Sequence, residues 1–281
     1  MLSGLKDLLT RAKAGGYALG AFNVYNLEGV RAAVRAAEAI RSPVALQIHP
    51  AALLHGGRPL VALCLEAARG SNVPAAVHLD HGASPEDIRD ALDAGFGSVM
   101  ADGSHFSFDP NVAFTREAVV LAHARGVAVE AELGRLSGTE DGLTVPEVES
   151  RMTDPAQAAD FVTRTGVDAL AVCVGNVHGR TRGEPSLDFG RLEAVARFVP
   201  VPLVLHGASG LSDGPVRRAI SSGVCKFNVN TELREAYVAA LSDSLRSARA
   251  PELVDLMKQA EAAMQKVVAE KLHLFGSAGK A

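Results

Sequence analysis

Apolar runs of five to seven residues alternate with longer stretches rich in Ala, Glu and Arg at helical spacing along most of this chain. No other feature limits the fold as much. The runs that read as strands are 18–24, 44–48, 75–79, 97–101, 127–132, 169–174, 202–206 and 224–229. The helical stretches between them are 27–40, 59–69, 85–94, 112–125, 155–165, 187–198, 213–222 and 232–245. Strands that alternate with helices must pair in parallel through crossovers. Local punctuation agrees. Ser84-Pro85-Glu86-Asp87 combines a cap, a proline at the first helical position and acids in the first turn. Ala94-Gly95, Arg125-Gly126, Thr165-Gly166 and Ser222-Gly223 each put glycine just past a helix and just before a strand. Eight such units in about 245 residues predict an α/β chain folded as a (β/α)₈ TIM barrel. A doubly wound open sheet is the alternative, but no G-x-G-x-x-G follows the first strand.

Two segments break the rhythm. Residues 134–150 (GRLSGTEDGLTVPEVES) are polar and acidic and read as a long mobile loop of the kind that serves as a lid. Residues 251–274 form one further amphipathic helix, with Leu253, Leu256, Met257, Ala260, Ala263, Met264 and Val267 on one face. It packs on its own barrel or on a partner. The reading is one domain over residues 1–281 with a C-terminal helical extension.

Composition excludes several classes. Hydrophobic residues are 48% and charged residues 21%, which rules out wholesale disorder. A net charge of −4 gives no basic footprint for nucleic acid. Cys64, Cys173 and Cys225 are odd in number with no CxxC pair, which fits a reducing cytoplasm rather than a disulfide framework. Lys6, Asp7 and Arg11 are followed by no apolar stretch of secretory type, and no 18-residue apolar run predicts a membrane span.

In such barrels the chemistry collects at the C-terminal strand ends. His81, His178 and His206 end three different strands, each followed by glycine, and together suit a zinc site with an open fourth position. Asp80 suits a general acid beside the metal, or a group that orients a histidine. Asp102 and Glu132 end neighbouring strands and fit either a second, weaker cation or the support of the zinc histidines. Gly207-Ala208-Ser209-Gly210 and Asn228-Val229-Asn230-Thr231 follow the seventh and eighth strands, the usual place for a phosphate. His78 lies within its strand and reads as structural, and His123 reads as helix surface. Of seven lysines, Lys226 alone lies on a candidate strand, so it is the one candidate for a Schiff base. Three rim histidines favour metal chemistry instead.

The runs HLDHG (78–82), DGSHF (102–106), EAELGRLSGTEDG (130–142), HG (178–179), VPLVLHGASGL (201–211) and KFNVNTEL (226–233) resemble the class II, zinc-dependent ketose-bisphosphate aldolases. That group contains fructose- and tagatose-1,6-bisphosphate aldolases, and the likeness runs from Gly20-Ala21-Phe22-Asn23 to Gly276-Ser277-Ala278. It implies zinc on His81, His178 and His206, a proton donor at Asp80 and a secondary metal site at Asp102 and Glu132. It implies a proton-abstracting glutamate at Glu140 in the polar loop. Gly179, Gly207–Ser209 and Asn228–Thr231 would hold the dihydroxyacetone phosphate end, with a monovalent cation (Na⁺ or K⁺) nearby. The implied activity is reversible cleavage of a ketose 1,6-bisphosphate by a cytoplasmic homodimer or homotetramer. Fructose 1,6-bisphosphate leads, followed by the tagatose isomer or a phosphorylated keto acid. A zinc hydrolase and a non-catalytic phosphosugar-binding subunit are the rivals. The chain departs from the family pattern at His49, where a small hydroxyl residue is common, and after His178, where Gly-Arg-Thr-Arg-Gly-Glu-Pro lacks the Tyr and Lys of tagatose-type members. Arg180 and Arg182 there read as phosphate contacts or as solvated loop residues. These departures bear on the aldehyde partner and leave the metal centre alone.

Overall fold

Runs such as Val44–Ile48 and Leu19–Asn23 are buried at every residue, as strands covered on both faces must be. In the computed structural model they close into a barrel. It describes residues 1–140, 143–145, 151–179, 186–247 and 252–281. Strands β1 (Leu19–Asn23), β2 (Val44–Ile48), β3 (Ala75–Gly82), β4 (Ser98–Ala101), β5 (Ala128–Leu133), β8 (Ala169–Val172), β9 (Leu203–Leu205) and β10 (Val224–Val229) pair in parallel around the ring. β1 pairs with β2 on one side and β10 on the other, which shuts the cylinder. Each strand of the (β/α)₈ reading is present, its ends moved by at most a few residues. The helices after them are α2 (Leu27–Ala39), α3 (Pro50–Gly70), α4 (Pro85–Ala94), α5 (Phe108–His123), α6 (Pro155–Thr165), α7 (Phe189–Phe198), α8 (Asp213–Ser221) and α9 (Thr231–Ser247). α4 starts on a complete capping box, with Ser84 and Asp87 each accepting from the other's backbone N–H.

Three elements go beyond the sequence reading. α1 (Leu5–Gly15) precedes the first strand and puts Leu5, Leu8 and Leu9 into one apolar cluster with Leu19, Ala21, Ala76 and Val204. Helix α3 extends the predicted 59–69 back to Pro50 across a break at Gly57, whose φ of 55° suits glycine, and Pro59 starts the second piece. The polar loop contains a hairpin, β6 (Gly138–Glu140) with β7 (Leu143–Val145). The rest of that loop, 141–142 and 146–150, lies outside the described residues, as do Arg180 and Arg182.

Helix α10 (Leu253–Leu274) packs on α2 and α9 of its own barrel. Leu256, Ala260 and Met264 are buried there, as the amphipathic face predicts, but Leu253 is exposed. Buried Glu261 meets Arg31 and Arg35 of α2. Phe275 stacks on Phe227 at 4.8 Å, and Ser277 accepts from Ser42 at 2.8 Å, which ties the C-terminus to the barrel wall. The three cysteines are free and buried. Among the described residues, no helix is long and apolar enough to cross a membrane.

Candidate active site

Successive residues of a strand face opposite sides, so Asp80 and His81 should not share the barrel mouth. A bulge resolves this. The β3–β4 register shifts between Leu79 and Gly82, and His81 has a φ of 49°, in the left-handed region that a non-glycine residue adopts at a cost. Both side chains thereby reach the mouth. His78, two residues back from Asp80, stays sealed in the bore with its Nδ1 2.9 Å from Ser98 Oγ, the structural position expected of it. Burial and nearby Lys226 push it down to about 3, so it is neutral.

His81, His178 and His206 converge, each offering a ring nitrogen within 4.8 Å of the others. The tautomers follow from their supports. Asp102 lies 2.7 Å from His81 Nδ1, and Glu130 lies 2.9 Å from His206 Nε2. An ionised carboxylate only accepts, so both of those ring nitrogens carry hydrogen. The opposite nitrogens, His81 Nε2 and His206 Nδ1, are then left 3.0 Å apart. Two lone pairs at that distance repel unless a cation or a proton sits between them. Burial would lower His81, but Asp80, Asp102 and Glu132 hold it well above the usual histidine range, so a proton takes that place when no ion does. Glu132 Oε2 is buried with no hydrogen-bond partner and lies 3.8 Å from His206 Nδ1. Lone pairs and an orphaned carboxylate oxygen around one point fit a divalent ion held by His81, His178 and His206. His81, Asp102 and Glu132 form a second, overlapping set. Asp102 thus sits at once as the support of His81 and in that second set, so both readings of it stand.

Electrostatics separate the carboxylates. Burial raises Glu132 and neighbouring Asp102 raises it further, so it is pushed well above the usual carboxylate range. Burial alone would raise Asp80 too, but His81, His206 and Lys226 outweigh it and hold Asp80 well below that range. Asn23 and Asn228 fix it, donating to its two oxygens at 2.7 and 3.1 Å.

The two loops read as anion sites follow β9 and β10. Gly207 has a φ of 66°, and a Cβ there would overlap the Val177 carbonyl, so only glycine fits. Ser209 is buried, and the Ala208 side chain faces the core. Val229 likewise points into the core. Asn230 accepts from Tyr25 at 2.8 Å, and Thr231 opens α9. Gly179 follows His178 with a φ of 76°. Glu140 ends β6, and its side chain lies outside the described residues. The hairpin is pinned beside His178, which donates from its backbone to Ser137 O at 2.9 Å, and a Cβ at Gly138 would overlap the His178 carbonyl. A cavity of about 250 Å³ opens over His81 and His178, and His49, His105, Arg135 and Leu136 also line it.

Glu130 carries more of the site than its sequence signal suggests. Lys226, the Schiff-base candidate, is fully buried with its Nζ 2.8 Å from Glu130 Oε2. Glu130 and Glu132 are two residues apart on one strand and therefore share the inner face, which is the signal that could have found it.

Comparison with known proteins identifies the family. Residues 3–280 match the family described as fructose-bisphosphate aldolase class-II. A fructose-bisphosphate aldolase of Thermus caldophilus is 41% identical, with all of both chains covered. A D-tagatose-1,6-bisphosphate aldolase subunit of Klebsiella oxytoca is 44% identical over 98% of each chain. The crystal structure of the YdjI aldolase from Escherichia coli K12 superimposes with a TM-score of 0.90 at 37% identity, covering all of both chains. The chain belongs to the class II fructose-bisphosphate aldolase family, whose members are metal-dependent lyases.

Proposed function

We propose that residues 1–281 form one catalytic domain that reversibly cleaves a ketose 1,6-bisphosphate to dihydroxyacetone phosphate and glyceraldehyde 3-phosphate. Fructose 1,6-bisphosphate is the leading substrate and the tagatose isomer the second. The observation that carries this is the close approach of His81 Nε2 and His206 Nδ1 at 3.0 Å, with His178 beside them and Asp80 between two asparagines. His81, His178 and His206 hold zinc, which when bound stabilises negative charge on the ketone oxygen of the substrate.

In cleavage the ionised Asp80 takes the proton of the hydroxyl that becomes the aldehyde oxygen, and in the reverse condensation it returns that proton to the same oxygen. Its two amide contacts keep it aimed as its charge changes. Glu140 removes a proton from the dihydroxyacetone phosphate carbon, and the hairpin that carries it keeps water from that carbon. Gly179, Gly207–Ser209 and Asn228–Thr231 bind the phosphate through backbone N–H groups and the start of α9, with a monovalent cation, Na⁺ or K⁺, alongside. Asp102 and Glu132 serve a secondary metal position. The enzyme works in the cytoplasm as a homodimer or homotetramer.

Coupled detection of dihydroxyacetone phosphate tests the reading. Release from one of the two bisphosphates, abolished by a chelator and restored by Zn²⁺, is the expected result. No release from either sugar by the zinc-loaded chain overturns it in favour of a hydrolase or a binding subunit. Persistence of activity in chelator, with trapping by borohydride, points to Lys226 instead.

A further inference from the structure

The bore beneath the mouth holds an ion pair that the proposed proton transfers do not use. Glu130 and Lys226 are buried with no exposed side-chain surface, and Nζ donates to Oε2 at 2.8 Å. Burying two charges is costly, and a fold keeps such a pair for a reason or replaces it with apolar residues of similar volume. The other oxygen of Glu130 supplies the reason. Oε1 accepts from His206 Nε2 at 2.9 Å, so the pair reaches the mouth through one imidazole. We propose that Glu130 and Lys226 are positioning residues that lock His206 into the Nε2–H tautomer, aim its Nδ1 at the mouth, and so set how tightly the site holds a divalent ion. The proposal rests on the metal-site reading of the mouth and adds to it the source of that site's affinity.

Geometry separates this from simple filling of space. The ammonium of Lys226 can only donate, which occupies Oε2 and leaves Oε1 to meet His206. A glutamine at 130 could turn its NH₂ toward His206 and accommodate the opposite tautomer, which would leave a hydrogen on the nitrogen that should face the ion. The second carboxylate–histidine contact, Asp102 to His81 at 2.7 Å, lies at the rim with 14% of the Asp102 side chain exposed. The Glu130 contact is sealed. Support inside the bore cannot be taken over by water when it is removed, whereas support at the rim can. Residues that orient a metal-binding histidine are worth about 10–100-fold in metal affinity.

The test uses full-length protein and Zn²⁺ itself. Zinc affinity is measured by competition with a chromophoric chelator for wild type, Glu130→Gln and Asp168→Asn. Asp168 is a control acid at the opposite end of the barrel, where it holds Lys6 and His123. A loss of about 10–100-fold for Glu130→Gln, against less than threefold for Asp168→Asn, is expected. Equal affinities for Glu130→Gln and wild type overturn the proposal, and so does an equal loss in both variants. Should Glu130→Gln fail to fold, nitrogen-15 imidazole spectra of the wild-type protein decide instead. A hydrogen on His206 Nε2 with Nδ1 free of hydrogen supports the lock, and the reverse tautomer overturns it. Zinc held tightly by a chain that releases no dihydroxyacetone phosphate sinks the aldolase reading while leaving the lock intact. An active enzyme whose Glu130→Gln variant keeps full zinc affinity does the opposite.

Discussion

The two halves of the barrel bore are built from the same strands and share almost nothing else. Toward the N-terminal ends, β1, β3 and β9 contribute Leu19, Ala21, Ala76 and Val204, which pack with Leu5, Leu8 and Leu9 of α1. Toward the C-terminal ends, β1 contributes Asn23, β3 contributes His78 and Asp80, and the residue after β9 is His206, all buried and polar. Moving two to four residues along one strand face thus crosses from a dry plug to a charged chamber. The plug is held by area and fit. The chamber is held by pairing, since each buried charge there has a partner within hydrogen-bond reach or a place beside the proposed ion. Stability should therefore be lost from one half and activity from the other.

The largest expected effect lies in the chamber. Asp80→Asn keeps the shape and both asparagine neighbours but removes the proton carrier. Its kcat should fall by about 10²–10⁴-fold, with zinc content and melting temperature close to wild type. A fall in melting temperature of the same size as a core truncation would break the contrast. Next comes the plug. Leu9 is 1% exposed, and Leu9→Ala should cost about 2–5 kcal/mol in chemical denaturation, while kcat and KM of the folded enzyme stay within twofold. A Leu9→Ala enzyme of normal stability and damaged activity would show that the plug transmits strain to the mouth.

Acid should also act on the chamber. His78 titrates at about 3 in the folded state against 6.5 in the unfolded chain. Between those values the unfolded chain holds a proton that the folded one lacks, so this group's contribution falls as pH is lowered, by about 1.4 kcal/mol per unit. Glu132 is shifted upward and has the opposite sign above its unfolded value, so wild type alone would hide the effect. The stability difference between wild type and His78→Asn isolates it. That difference should move in favour of the variant by about this slope below pH 6.5, and a flat difference would mean that His78 is charged in the bore.

How much of this contrast could be read from the sequence depends on the distance between interacting residues. The alternation of runs and the glycines after helices are local signals, and they predicted all eight barrel strands and most helix ends. Strand-end histidines followed by glycine mark the converging trio, because the barrel places every strand end in one ring. What stayed hidden depends on partners far along the chain. Lys226 looked like a Schiff-base candidate because its mate, Glu130, lies 96 residues away. The bulge that turns both Asp80 and His81 to the mouth has no sequence mark, since the left-handed residue is histidine rather than glycine. α1 carries no such mark, because its role as a plug appears only once the bore exists. The β6–β7 hairpin was hidden for a further reason, because its apolar content is too small to separate a strand from a polar loop.

The smallest expected effect compares two lysine–carboxylate pairs of nearly equal length. Lys6 Nζ lies 2.9 Å from Asp168, and Lys226 Nζ lies 2.8 Å from Glu130. Distance alone would make them equals. Lys6, however, is 64% exposed, so water solvates its charge in the unpaired state almost as well as the carboxylate does in the pair. Asp168 also keeps two other donors, the Val129 backbone N–H at 2.8 Å and His123 Nε2 at 2.9 Å, and is not orphaned when the lysine goes. Lys6→Met should therefore cost about 0.2–1 kcal/mol. The loss should shrink further in 1 M salt, where the screening length is about 3 Å. Zinc affinity should not change, because Asp168 keeps its bonds to the Val129 backbone and His123 when the lysine goes. A cost of several kcal/mol, insensitive to salt, would mean that the closed end of the barrel depends on charge as the chamber does, and the division between the two halves would fail.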